Sequence, residues 1–166
     1  MKLLLFLFFL FTYPVFGQIT SMVHPSSKII SKSTPFFGSK GPDKFKAEAV
    51  VVSMLIDPKN NDTSYAMLIN SFTNVLAGGQ PKGGQIYFDD GSVLSFSEED
   101  VTYNPHPSGV GFVGTCTIKK VNRNDIIMMG SKFIKSVKTY QHERWLFPKE
   151  SEKIHSNINL LLLEGH

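Results

Sequence analysis

Cysteine is nearly missing from this sequence: 166 residues contain one, Cys116. A single thiol excludes an internal disulfide framework and any zinc site built on paired cysteines. An excess of one charge is missing too, since 17 Lys and Arg stand against 14 Asp and Glu, a net +3. That balance is spread along the chain and supplies no counterion-release drive, so no nucleic-acid partner is expected. Nowhere do 18 apolar residues follow one another, while about 20 are needed to cross a hydrocarbon core as a helix. No membrane span is therefore expected. No Ser stands in a G-x-S-x-G elbow, the strained turn that presents a hydrolase nucleophile.

What is present is ordinary globular material, with 42% hydrophobic and 19% charged residues, which excludes wholesale disorder and a coiled coil. The first segment reads as an address. Residues 1–17, MKLLLFLFFLFTYPVFG, place Lys2 before an apolar run from Leu3 to Phe11, then Pro14 and Gly17. A short positive start, an apolar core too short to span a bilayer and a small residue at the cut mark a signal peptide. Cleavage is expected between Gly17 and Gln18. Loss of Lys2 leaves the mature chain at +2. The expected localisation is exported, periplasmic or extracellular.

Residues 18–44 are rich in Ser, Lys, Pro and Gly and predict a loosely ordered arm, held by Ile29-Ile30 and Phe36-Phe37. Residues 45–166 predict a single β-rich domain. AEAVVVSMLI (47–56) suits a strand buried on both faces. After a turn cluster at 57–62, SYAMLINSF (64–72) turns Tyr65, Met67 and Ile69 to one side. QIYFDDGSVLSF (85–96) predicts a hairpin on a two-residue Asp90-Gly91 turn, with Phe88 opposite Val93. YNPHPSG (103–109) reads as a proline-constrained loop. In 110–121, Phe112, Gly114, Cys116 and Ile118 share one face, which makes Cys116 a core thiol. Residues 124–130 predict one helical turn capped by Asn124 or Asp125 and ended by Gly130 in a left-handed conformation. KFIKSVKTY (132–140) returns as a strand, and Trp145-Leu146-Phe147 is expected to anchor an apolar patch. From Pro148, a helix over 149–163 carries Ile154, Ile158, Leu161 and Leu162 in one stripe.

The predicted class is therefore α+β: a mainly antiparallel sheet of about six strands with the C-terminal amphipathic helix packed on it. A β-sandwich with a peripheral helix is the alternative. Links too short for intervening helices argue against a doubly wound sheet.

Candidate chemistry is thin. The histidines His24, His106, His142, His155 and His166 never pair at i, i+2 or i+4. Only folding could join His106 and His142 as ligands. His155 lies off the main helical stripe and is expected in solvent. Asp89, Asp90, Glu98, Glu99 and Asp100 cluster near one hairpin without calcium-loop spacing. Asp89 and Glu98 could be offered as a glycosidase pair, but nothing in the sequence gives them different environments. AGGQPKGG (77–84) precedes no helix, so it is no phosphate cradle. Asn61-Asp62-Thr63 is a glycosylation sequon. The aromatics Tyr65, Tyr87, Tyr103, Tyr140 and Trp145 could stack on sugars or peptides where a strand exposes them. No catalytic, metal or cofactor-binding residue is assigned.

At DIIMMGSKFIKSVKTY (125–140), followed by the terminal amphipathic helix, the chain resembles small exported proteins of Bacteroidetes-type bacteria, whose domains have no assigned activity. The resemblance spans about residues 45–163. It implies an exported β-rich domain with a C-terminal helix, and it carries over no catalytic residue. The functional reading is an exported non-enzymatic binding or structural module, with a protein or carbohydrate as its ligand. The alternatives are a small secreted hydrolase using scattered His and Asp/Glu residues, or an exported inhibitor or immunity-type protein. A concave polar pocket joining His106, His142 and the acidic corner would favour the enzyme. A flat, exposed aromatic or apolar strip would favour binding.

Overall fold

The computed structural model describes residues 19–25, 27–35, 49–60, 62–73, 83–108, 111–139 and 142–164. Its class is the α+β arrangement predicted from the sequence: antiparallel strands with the C-terminal helix packed against them. The strands divide between two sheets, one of six and one of four.

The larger sheet is built on two long strands, β3 (Val50–Asp57) and β4 (Asp62–Thr73). Val50, Val51 and Val52 are all buried, as their unbroken apolar run requires. Tyr65, Met67 and Ile69 are buried on one face of β4, while Ala66 and Leu68 are half-buried. The turn between the strands is local chemistry: Asp57 accepts from the backbone N–H of Lys59 at 2.9 Å and from Asn60 Nδ2 at 3.0 Å. Asn61 of the sequon lies outside the described residues.

Part of the expected arm is strand. β1 (Thr20–Val23) and β2 (Ile30–Ser33) form a hairpin, and β2 pairs with β3. Lys32 Nζ lies 2.7 Å from Glu164 Oε2 and ties this edge to the end of the C-terminal helix.

On the other side, β4 pairs with β8 (Gly111–Val121), and β8 with β7 (Val101–Ser108). The proline segment expected as a loop is thus an edge strand. Pro105 and Pro107 stand two residues apart, so both missing N–H groups fall on the same side of the strand, which an edge can leave to solvent. Met67 pairs with Ile118 and Tyr65 with Val121, so a bulge in β8 returns Val121 to the buried face. Cys116 pairs with Ile69 along this ladder; its side chain lies outside the described residues.

The smaller sheet runs β10 (His142–Trp145), β9 (Ile134–Thr139), β5 (Gly84–Phe88), β6 (Val93–Phe96). Its hairpin corrects the predicted turn. Phe88 N–H donates to Ser92 O at 3.0 Å and Gly91 N–H to Phe88 O at 3.2 Å, and Tyr87, not Phe88, stands opposite Val93. Among the turn residues only Gly91 has a positive φ, +84°. This is a three-residue loop ending in a left-handed glycine rather than a two-residue primed turn.

Among the described residues two α-helices complete the fold. α1 (Arg123–Ser131) begins one residue before the predicted turn, with Asn122 at the cap position. Gly130 lies inside it rather than ending it, because α2 (Pro148–Leu163) crosses there. A Cβ on Gly130 would meet Asn159 Oδ1 at 2.8 Å and Leu162 Cδ1 at 3.1 Å. Ile154, Ile158 and Leu161 of α2 are buried in one core with Ile126 and Met129 of α1, Met54 and Ile69 of the larger sheet, and Ile86, Phe88 and Val137 of the smaller. Among the described residues no helix is long and apolar enough to cross a membrane.

Candidate ligand-binding site

Where β10 runs into α2, the apolar side chains Trp145 and Phe147 of the expected patch face out. Strand alternation explains the first step. Arg144 points inward, is buried, and forms an ion pair with Glu150 in the first turn of α2. With Arg144 inside, Trp145 must face out, and it is 61% exposed. Leu146 is half-buried, Phe147 at the helix cap position is 72% exposed, and Pro148 takes the first helical position. Phe133, just before β9, adds a third exposed aromatic at 43%. The apolar patch expected at Trp145-Leu146-Phe147 is mostly exposed, with Leu146 half-buried.

Beside these aromatics is a hollow of about 320 Å³ lined by Asp89, Phe133, Ile134, Lys135, Leu146, Pro148, Ser151 and Glu152. Backbone bonds hold its two sides. Asp89 N–H at the hairpin tip donates to Phe133 O, and Leu146 N–H donates to Lys135 O, both at 3.0 Å. The tip is held again through side chains. Lys132 Nζ lies 2.7 Å from Asp90 Oδ2 and 2.9 Å from Ser92 Oγ, while Asp90 Oδ1 accepts from the Ser92 hydroxyl at 2.6 Å and its N–H at 2.9 Å. The Lys132 and Ser92 bonds favour the ionised carboxyl and hold Asp90 well below the usual carboxylate range.

Ser151 is 6% exposed, and its Oγ has no hydrogen-bond partner. A buried hydroxyl left unpaired costs about 1–3 kcal/mol. Asn157 Oδ1 on the same helix shares this state, whereas two polar groups of the smaller sheet are paired. Ser136 Oγ donates to Glu143 Oε1 at 2.6 Å, and the Tyr87 hydroxyl donates to Gln85 Oε1 at 2.9 Å.

The corner continues onto the outer face of the smaller sheet. Trp145 pairs with Ser136, Ser136 with Tyr87, and Tyr87 with Val93. Lys135 Nζ stands 5.4 Å from the Trp145 ring centroid, within cation–π range. This row crosses four strands with Trp145 and Val93 exposed at its ends, Tyr87 half-buried and Ser136 buried between them.

A second cleft, of about 440 Å³, opens beside the β8 bulge and is lined by Thr63, Ser64, Tyr65, Lys120, Val121, Asn122 and Arg123. Thr63, Ser64, Lys120, Asn122 and Arg123 are exposed to solvent there.

The other candidates scatter. His106 and His142 stand on β7 and β10, in different sheets; their side chains, like those of Tyr103 and Glu98, lie outside the described residues, as do Tyr140 and His166. His24 is exposed in the turn after β1. His155, expected in solvent, is half-buried with its ring 4.7 Å from Phe133. Asp89 lines the hollow, and Asp100 accepts from Ser97 Oγ at 2.6 Å in the turn Glu98–Asp100. Among the described residues no three His, Cys, Asp or Glu side chains gather as metal ligands would. Comparison with protein-family models, with curated proteins and with solved structures finds no match to this chain.

Proposed function

We propose that this chain is an exported, non-enzymatic binding module whose ligand seats at the corner between β10 and α2. One observation carries the binding reading: Phe133, an exposed aromatic, lines a hollow together with Leu146 and Pro148, the chain neighbours of the exposed Trp145 and Phe147. Exposed apolar surface of this kind costs solvation unless a ligand covers it. Export is supported by the leader-like pattern of residues 1–17 and by the resemblance to small exported Bacteroidetes-type proteins. Two measurements test the reading. The protein secreted by its host should have a mass that begins at Gln18, free or cyclised; retention of residues 1–17 rejects export. A small-fragment screen by NMR on the mature chain should perturb backbone amides of residues 145–152. Those shifts should vanish in the variant Phe133→Ala, which loses an exposed side chain that lines the hollow. Hits confined to other surfaces, or unchanged in that variant, reject the site.

A further inference from the structure

Resting on the reading of the chain as a binding module, we propose that the outer face of the smaller sheet, next to the corner, binds a neutral β-1,4-linked polysaccharide chain. Two sugar rings of that chain, with one sugar between them, stack on Trp145 and Tyr87.

Strand register sets out two parallel rows on this face. Trp145, Ser136 and Tyr87 stand side by side on β10, β9 and β5. Two residues along each strand, and so on the same side of the sheet, Glu143 pairs with Lys138, Lys138 with Gln85, and Gln85 with Ser95. The first row offers rings and the second offers hydrogen-bonding groups. A pyranose needs both, because it carries an apolar face to stack and a rim of hydroxyls to satisfy. Lys135 Nζ stands over the Trp145 ring, yet the residue is still 61% exposed, so ring surface stays open to a guest. Tyr87 is half-buried, and the buried Ser136 between the two rings offers nothing to stack on.

Internal bonds orient the polar row. The Tyr87 hydroxyl donates to Gln85 Oε1, and Ser136 Oγ donates to Glu143 Oε1. Each bond uses one oxygen, so the Gln85 amide keeps its two N–H donors and Glu143 keeps its second carboxylate oxygen. With the Lys138 ammonium and the Ser95 hydroxyl, the row presents donors and acceptors together. Sugar hydroxyls, which both donate and accept, suit such a row. Glu143 stands opposite Lys138, and the two charges offset, so the row favours neither an anion nor a cation.

Spacing selects the linkage. Trp145 and Tyr87 lie two strands apart, which is about 10 Å. In a β-1,4-linked chain successive pyranoses are turned over, so every second ring presents the same face after a repeat of that same length. An α-1,4-linked chain coils and does not hold two such rings on one line.

The mature protein is titrated by calorimetry with cellohexaose and with maltohexaose, the same glucose units joined β-1,4 and α-1,4. Backbone amides of residues 85–87, 136–138 and 143–145 are followed in parallel by NMR. Cellohexaose should bind saturably and shift those amides, roughly 10-fold tighter than maltohexaose. Trp145→Ala should weaken cellohexaose about 10-fold, the scale of one ring contact. Tyr87→Phe keeps the ring and should keep most of the affinity, while Leu163→Ala, which removes an exposed apolar side chain at the other end of α2, should change nothing. Thermal melts confirm that each variant is folded. Equal affinity for the two glycans, or cellohexaose binding that Trp145→Ala leaves intact, overturns the proposal. So does the absence of a saturable response to both cellohexaose and chitohexaose, its N-acetylglucosamine counterpart. In that event fragment hits in the hollow would keep the binding-module reading, and a Trp145-dependent dimer in sedimentation would assign the face to a second copy of the chain.

Discussion

The guanidinium of Arg144 and the carboxylate of Glu150 form an ion pair across the bend between β10 and α2, with side chains only 7% and 16% exposed. Five residues lie between them, among them the exposed Trp145 and Phe147. The pair is the buckle that holds the candidate site open to solvent. Removing the carboxylate from a buried guanidinium costs up to about 3–5 kcal/mol. Glu150→Ala should therefore lower Tm by on the order of 10 °C and shift the Trp145 emission. Arg144→Met combined with Glu150→Leu should recover most of the loss, because an apolar pair of similar volume leaves no naked charge. A double variant as unstable as Glu150→Ala would reject the buckle.

Two glycines sit at positive φ for different reasons. Gly91, at +84°, has open space where a Cβ would go, so only its backbone conformation resists substitution. Gly91→Val should cost about 1–3 kcal/mol. Gly83, at +81°, would also place a Cβ 2.2 Å from the carbonyl oxygen of Phe96. Gly83→Ala must move the backbone of β6 and should cost more than Gly91→Val, although it adds a smaller group. Urea melts of both variants rank them, and the reverse order would contradict the hairpin geometry.

The Asp90 clamp makes a directional pH prediction. Its carboxyl is held below the usual range by Lys132 and Ser92, so the folded state binds that proton less readily than the unfolded chain. The clamp's contribution is fully present above the ordinary carboxylate value of about 3.9. It fades as pH falls toward the depressed folded value. The Tm gap between the parent and Asp90→Asn should be constant from pH 7 to about pH 5 and narrow below about pH 4. Added salt should shrink it, since the carboxylate is exposed to solvent. A gap that widens on acidification would reverse the sign and reject the clamp.

What could be read from the sequence was whatever local pattern decides. Alternation of Tyr65, Met67 and Ile69 set the buried face of β4, and Pro148 with Ile154, Ile158 and Leu161 marked α2 and its inner stripe. Legibility stopped where a distant partner decides. Pro105 and Pro107 look like loop residues until their strand is known to be an edge. Gly130 looks like a helix stop until Asn159 and Leu162 of α2 press against it. The site was legible in part, since Trp145 stood among the rings that could stack on a ligand, but which of those rings face out was not. Trp145 and Phe147 are apolar, and apolarity argues for the core. Their outward phase follows from Arg144 turning inward to Glu150, a choice no window of hydropathy records. A buried arginine six residues before a glutamate in a helix's first turn is the signal that could have revealed it.

A helix held out for a partner and a helix that completes the core differ in what survives its removal. Ile154, Ile158 and Leu161 are buried, and Leu162 packs against the same cluster. Burying each of the first three is worth roughly 1.5–3 kcal/mol, about 4.5–9 kcal/mol together. That is comparable with the whole net stability of a small domain, about 5–15 kcal/mol. Deleting residues 149–166 would also strip the cover from Ile126 and Met129 of α1 and leave Arg144 without Glu150. The truncated chain should therefore be insoluble or lack a cooperative melt by circular dichroism, with no fixed tertiary signal from Trp145. A truncation that melts cooperatively near the full-length midpoint would show α2 to be an appendage, and the hollow at its N-terminus would then have no rigid wall on which to hold a ligand.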